Sequence, residues 1–200
     1  MPRSVLYFKN NCHGFKSAKS SDIRNPMNSI VLIKASISDC NLICKIGAQS
    51  WLEAHSIYEP EKNLERLKYI EKAFSETQIF SELDDKNFQF YIVKKDNNPI
   101  GYVKINPILP ELPTVNSPTI QIERFYLLKN QTGHGVGSAV LDQTKIILKQ
   151  QGFKSLWLNV YTLNEPAIRF YEKSGFKKIG TKMFKLATTE SLNWVYELEL

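Results

Sequence analysis

Residues 132–137 read TGHGVG, so glycine stands at 133, 135 and 137 between two ordered runs. Before it lies TIQIERFYL, which has strand character; after it Val136, Val140, Leu141, Ile147 and Leu148 fall at helical spacing. A strand that turns through glycines directly into a helix is a narrow structural solution. It aims several backbone N–H groups in one direction, backs them with the positive end of the helix, and lets a bulky anion approach the main chain closely. A phosphate cradle and plain strand-on-helix packing both satisfy the spacing. Two other phosphate-binding loops are excluded by the text itself. A P-loop needs Lys and then Ser or Thr after the last glycine, whereas Gly137 is followed by Ser138 and Ala139. A dinucleotide fold needs an acidic residue near the end of the next strand, and SLWLNVYTLN has none.

The rest of the chain reads as one α/β (α+β) domain. SIVLIKA is a β-branched strand, and Ser36 followed by Asp39 matches a capping box opening a helix that runs to about His55. Leu64, Leu67, Ile70 and Phe74 give a second helix its spacing. FQFYIVKK and IGYVKINP flank DNNP, a hairpin signature, and a proline-rich stretch, PILPELPTVNSP, leads to TIQIERFYL. After the glycine-led helix come the strand SLWLNVY, the short helix NEPAIRFYEKSG with Pro166 in its first turn and Gly175 as its stop, and two closing strands, FKKIGTKMF and NWVYELEL. The predicted order is β-α-α-β-β-β-α-β-α-β-β.

A chain of 200 residues that is 42% hydrophobic is long enough to bury one sizeable core. Its formal charge of +6 suggests nucleic acid until the charge is located. Arg3, Lys9, Lys16, Lys19 and Arg24 stand against Asp22 alone, so residues 1–26 carry most of the surplus and the body is near neutral. Residues 1–26 are expected to be a disordered or loosely attached extension, with the folded domain spanning 27–200, and no direct nucleic-acid binding is expected. No apolar run is long enough to span a membrane and no signal peptide is evident, so a cytoplasmic location is expected. Cys12, Cys40 and Cys44 lack metal-ligand spacing and read as reduced thiols, with no metal.

The segments TIQIERFYLLKNQTGHGVGSAVL and LWLNVYTLNEPAIRFYEKSGFKKIG resemble the two signature motifs of the GNAT family of N-acetyltransferases, and the likeness extends over nearly all of residues 30–200. Within the family, WLEAHSIYEPEKNLERLKYIEKAF, ERFYLL, NEPAIRFYEKSGF and NWVYELEL look most like the PaiA-type polyamine acetyltransferases. The resemblance implies a mixed, mostly antiparallel twisted sheet of about seven strands, flanked by about four helices and splayed between strands 4 and 5. It implies acetyl-CoA as co-substrate, held in that splay. Thr132, Gly133, His134, Gly135, Val136, Gly137 and Ser138 occupy the pyrophosphate-binding motif, with Thr132 where Arg or Gln is usual. Tyr126, Leu127 and Leu128 would pair through their backbone with the pantetheine arm, and Asn164, an ordinary N-cap, would add a hydrogen bond to it.

The same likeness makes Tyr171 the general acid for the departing thiolate, and Glu123 the base. Read from the residues alone, a tyrosine placed like Tyr171 is more often a packing residue, and Glu123 is equally a solvated or arginine-paired carboxylate. Strict alternation along IQIERFYL would put Ile120, Ile122, Arg124 and Tyr126 on one face and Gln121, Glu123, Phe125 and Leu127 on the other. Trp51, Glu53, His55 and Tyr58 fall where the family places groups that meet the acceptor amine. A polyamine such as spermidine or spermine further calls for spaced carboxylates, for which Glu53, Glu59, Glu61, Asp84, Asp85 and Glu111 are candidates. Acetylation of protein N-termini or lysines, and binding of acetyl-CoA or polyamine without turnover, are the competing functions. The family resemblance also allows a homodimer.

Overall fold

The computed structural model describes residues 30–108 and 118–200. The expected extension at 1–26, Cys12, Glu111 and most of the proline-rich stretch lie outside the described residues. The elements run β1 (Ile30–Lys34), α1 (Cys40–His55), α2 (Asn63–Ala73), α3 (Glu76–Asp84), β2 (Gln89–Lys95), β3 (Asn98–Asn106), β4 (Thr119–Leu127), α4 (Val136–Gln150), β5 (Ser155–Tyr161), α5 (Glu165–Lys173), β6 (Lys177–Leu186) and β7 (Thr189–Glu199). The predicted order holds except that α3 is inserted, giving five α-helices among the described residues.

Local chemistry explains the element boundaries. Ser36 N–H donates to Asp39 Oδ2 at 2.8 Å, and this box starts a short 3-10 turn that leads into α1. Ser75 caps α3 by accepting the N–H of Gln78 at 3.2 Å. The Ser75-x-x-Gln78 pattern and the buried Ile79 were therefore a legible start signal for the extra helix.

The seven strands form one sheet in the order β1-β2-β3-β4-β5-β7-β6. Every pairing is antiparallel except β4 with β5, which is parallel and lasts only from Thr119–Gln121 against Ser155–Trp157. Beyond Gln121 and Trp157 the two strands separate, which is the expected splay between strands 4 and 5. Helices α4 and α5 cover one face, where Val103, Ile105, Ile122, Val140, Leu148 and Leu158 form a core. Helices α1 to α3 cover the other, over Ile43, Trp51, Phe74, Ile79, Ile92 and Tyr102. Edge strand β6 carries Lys177, Lys178, Lys182 and Lys185, charges that discourage pairing with another chain.

Strand β4 departs from strict alternation. Arg124 pairs with Lys104 but Ile122 pairs with Ile105, which leaves Glu123 in a β-bulge. The bulge corrects the expected faces: Ile120, Ile122, Phe125 and Leu127 all pack on the α4–α5 side, while Tyr126 belongs to the α1–α3 side. Glu123 then reaches Lys104 and Arg124 reaches Glu82 on that second side, where Lys104 and Glu82 pair with each other.

Candidate active site

The splay opens a cavity of about 830 Å³ that runs from the glycine turn, between β4 and β5, to the C-terminal part of α1. Its middle is walled by Ile122 to Leu127 of β4 and Leu158 to Tyr161 of β5. Leu128 donates its N–H to Ile100 O at 2.9 Å and accepts from Gln131 N at 2.8 Å. Because strand N–H groups alternate in direction, the Leu127 N–H points the other way, into the splay. This corrects the expectation for Leu128, whose main chain is already engaged, and favours Leu127 as the backbone donor available to a ligand lying along β4.

At the cavity's far end the chain leaves β4 through a 3-10 turn, Lys129–Gln131, and enters α4. Thr132 Oγ1 donates to Lys129 O at 2.8 Å and so stabilises this turn. Gly133 and Gly135 adopt φ of +87° and +78°, a left-handed conformation that side chains resist, and Gly135 is the N-cap of α4. A glycine cap offers no side chain to the first-turn amides. Val136 N–H turns back to Gly133 O at 3.1 Å, whereas Gly137 and Ser138, which line the cavity, have no intrahelical acceptor for theirs. The cradle therefore fits an anion such as the pyrophosphate of acetyl-CoA. Thr132, Gly133, Gly135, Gly137 and Ser138 all line it, but Val136 is buried in the core and His134 is exposed outside the lining.

Glu123 sits where the strands part. Lys104 Nζ stands 2.7 Å from its Oε1, Asn106 Nδ2 donates to Oε2 at 2.7 Å, and Arg124 Nε lies 3.6 Å away. Lys104 in turn meets Glu82 at 3.0 Å, and Arg124 meets the same carboxylate at 3.1 Å. Two cations and two carboxylates thus balance within one buried network. Burial, then the neighbouring Arg124, lowers the Lys104 pKa, while Glu123 and Glu82 oppose that fall. Each Glu123 oxygen has one of its two lone-pair directions engaged by a close donor, which leaves room for a further hydrogen bond from the cavity.

Tyr171, on α5, is 8% exposed and packs edge-on against Phe125, Phe170 and Phe176. It also lines the cavity. Burial pushes its phenol well above the ordinary tyrosine range, so it keeps its proton at neutral pH. Asn164 accepts the Ala167 N–H at 3.2 Å, as an N-cap should, and lines the cavity as well.

The α1 end brings the other expected residues together. Trp51 is buried in the α1–α3 core yet forms part of the wall; His55 stacks on it with ring centroids 4.3 Å apart, and Tyr58 meets Tyr161 edge-on at 5.8 Å. His55 Nδ1 lies 2.8 Å from Trp51 O, and because a carbonyl only accepts, Nδ1 carries the hydrogen and Nε2 is left as an acceptor. Burial, aided by the charge of Arg66, pushes the His55 pKa down to about 4. Glu53 accepts from Gln49 Nε2 at 2.9 Å and from Lys129 N at 3.0 Å, tying α1 to the turn after β4. None of Glu59, Glu61, Asp84 and Asp85 lines the cavity. Sequence reasoning missed Ser50, Arg66, Asn159, Tyr161 and Asn193, all of which do. Asn159 had a signal of the kind that exposed Glu123, a polar residue inside the largely apolar strand SLWLNVY, whereas Asn193 lies in a strand with several other polar residues. Among the described residues no group of three or more His, Cys, Asp or Glu side chains could hold a metal ion, and no helix is long and apolar enough to cross a membrane.

Residues 49–176 match the acetyltransferase (GNAT) family. An uncharacterized N-acetyltransferase from the pepI 3' region of Lactobacillus delbrueckii subsp. lactis is 26% identical over 133 residues, covering 66% of this chain and 77% of that protein. An uncharacterized N-acetyltransferase of Mycobacterium tuberculosis is 25% identical over 132 residues, covering 66% and 80%. Among solved structures, the PaiA N-acetyltransferase of Thermoplasma acidophilum in complex with coenzyme A shares the fold with a TM-score of 0.68 at 21% identity, over 86% of this chain and 99% of that one. Mutant forms of the spermidine/spermine N-acetyltransferase SpeG from Vibrio cholerae align with a TM-score of 0.60 at 15% identity, over 86% and 94%.

Proposed function

The chain belongs to the GNAT acetyltransferase family and is an acetyl-CoA-dependent N-acetyltransferase, and from that premise we propose that it acetylates the primary amine of a small molecule in the splay between β4 and β5. One observation carries the reading: a single cavity connects the glycine cradle of α4, the outward Leu127 N–H, Glu123 and Tyr171. Bound acetyl-CoA supplies an activated acetyl group. The cradle at Gly133, Gly135, Gly137 and Ser138 holds its pyrophosphate, and the Leu127 N–H polarises the thioester carbonyl. Glu123, kept in place by Lys104 and Asn106, takes the proton of the acceptor ammonium directly or through a water. The freed amine nitrogen forms the new C–N bond as the C–S bond breaks, Tyr171 protonates the leaving thiolate, and the second proton, shed by the acetylated nitrogen, restores Tyr171 through water.

Spermidine and spermine form a second reading of the acceptor. The sequence resemblance to PaiA-type enzymes and the likeness in fold to SpeG support it. Thiol release from acetyl-CoA across a panel of polyamines, simple amines, lysine peptides and N-terminal peptides tests the proposal, with Tyr171→Phe as the control. Turnover of small amines should fall at least about tenfold in that variant. Reaction with peptides alone would move the acceptor to protein; no reaction, with acetyl-CoA still raising the melting temperature, would make the protein a non-catalytic binder.

A further inference from the structure

The charge network at the fork contains a second carboxylate, Glu82, that no step of acetyl transfer uses. It sits on α3, is 7% exposed and does not line the cavity. Gln78 Nε2, one turn earlier on α3, donates to its Oε1 at 3.0 Å. Lys104 Nζ reaches the same oxygen at 3.0 Å, and Arg124 Nη1 donates to Oε2 at 3.1 Å. Both cations are also held by neighbours outside the carboxylates. Lys104 lies over the Phe88 ring at 4.3 Å, and Arg124 lies over the Phe74 ring at 5.0 Å with its Nη2 donating to Ala73 O at 3.4 Å. A buried ion pair replaced by apolar packing often leaves a protein as stable or more so, so stability alone gives no reason for a carboxylate here.

The geometry supplies a reason at Glu123. The charges in contact with Glu123 among the described residues are Lys104 on β3, at 2.7 Å, and Arg124 on β4, at 3.6 Å. Asn106 of β3 adds a neutral donor. The phenols of Tyr69 on α2, Tyr102 on β3 and Tyr126 on β4 face the same network, and burial pushes each of them up, so they stay uncharged at neutral pH. Glu53 and His55 of α1 and Arg66 of α2 stand on the cavity wall, each hydrogen-bonded to a partner of its own. A carboxylate that faces two cations and no other charge loses affinity for protons, and such a base takes little from an ammonium. Glu82 offsets that loss. One lysine nitrogen touches both carboxylates, which puts their oxygens within about 6 Å of each other, a range at which like charges interact strongly in a partly buried site.

We propose that Glu82 is a positioning residue for acetyl transfer: from outside the cavity it anchors Lys104 and Arg124 against Glu123 and takes up part of their charge, so that Glu123 is fixed at the fork yet still works as a base. The proposal rests on the acetyltransfer reading above, with Glu123 as the base. The test follows the Glu123 carboxyl titration by carbon NMR of glutamate-labelled protein, its signal identified by its loss in Glu123→Gln. Wild type, Glu82→Gln, Lys104→Met and the double variant are compared, and the acid limb of kcat/KM is measured for spermidine and for butylamine. Removing the Glu82 charge should lower the Glu123 midpoint by at least about half a pH unit, both from the wild type and within the Lys104→Met background, whereas Lys104→Met alone should raise it. The second comparison serves where Glu82→Gln alone folds poorly. The acid limb should move with the midpoint in each variant. A merely structural Glu82 would lower the urea midpoint and leave the Glu123 titration where it was, which would overturn the proposal. A titration that shifts while the acid limb stays would remove Glu123 as the base, overturning the proposal and leaving acetyl transfer standing. Turnover of neither amine would overturn the small-amine reading as well.

Discussion

Lys104 Nζ stands 2.7 Å from Glu123 Oε1 and 3.0 Å from Glu82 Oε1, so a lysine that is 2% exposed bridges the carboxylate at the fork of the sheet to one on α3. The bulge in β4 makes this possible. By placing Glu123 and Arg124 on one side of the sheet, it lets the strand and α3 share a single charge network.

Replacing Lys104 with methionine keeps much of the side-chain volume but leaves Arg124 to balance both Glu82 and Glu123 within the network. A buried pair broken on one side costs about 3 kcal/mol, which Lys104→Met should show as a lower urea midpoint at pH 7. Adding Glu82→Gln removes the stranded charge and should recover part of the loss. Equal midpoints for the single variant and the wild type would show that the network contributes little to stability.

Burial of Tyr171 among Phe125, Phe170 and Phe176 pushes its phenol up, so the proton stays on oxygen further into the alkaline range than in a free tyrosine. With Tyr171 as the acid, kcat measured at saturating substrates should show no alkaline fall up to about pH 10. A decline centred well below that, absent in Tyr171→Phe, would mean the phenol ionises earlier than its surroundings imply.

Gly135 takes φ of +78° at the N-cap of α4, where a β-carbon meets the backbone strain of the left-handed region. Gly135→Ala should weaken coenzyme A binding, followed by calorimetry, at least tenfold, because relieving about 1 kcal/mol or more of strain rotates the first-turn amides. The amine KM, set at the opposite end of the cavity, should change little. Unaltered coenzyme A affinity would remove the cradle from the binding site.

Much of this fold was legible because periodicity reports element type directly. The glycine turn and the hairpin follow from spacing and turn chemistry, whereas the splay between β4 and β5 was implied by the family resemblance. What spacing does not report is which face is buried. Leu64 and Leu67 supply the helical period of α2 but are 63% and 54% exposed, while Arg66 is buried against Glu59 O and Asn63. The bulge at Glu123 was equally hidden, since it exists only in the register with β3. Asn159 could be noticed singly, but that Asn193 joins it on the cavity wall depends on β7 inserting between β5 and β6, a long-range pairing that no local pattern encodes.

His55 ties the candidate site to stability. Its Nδ1–H is committed to Trp51 O, its ring is stacked on Trp51, and burial with the nearby Arg66 charge pushes its pKa down from 6.5 to about 4. The folded protein therefore refuses a proton that the unfolded chain accepts between those two values. Stability from this residue is fully present above pH 6.5, is lost as pH falls toward about 4, and changes no further below it. The loss amounts to at most about 3 kcal/mol, reduced by whatever solvent reaches the half-buried ring. Urea unfolding at pH 7 and pH 4.5 should show a larger drop for the wild type than for His55→Gln, which cannot titrate but retains hydrogen-bonding capacity. Parallel drops in the two proteins would assign the acid sensitivity elsewhere.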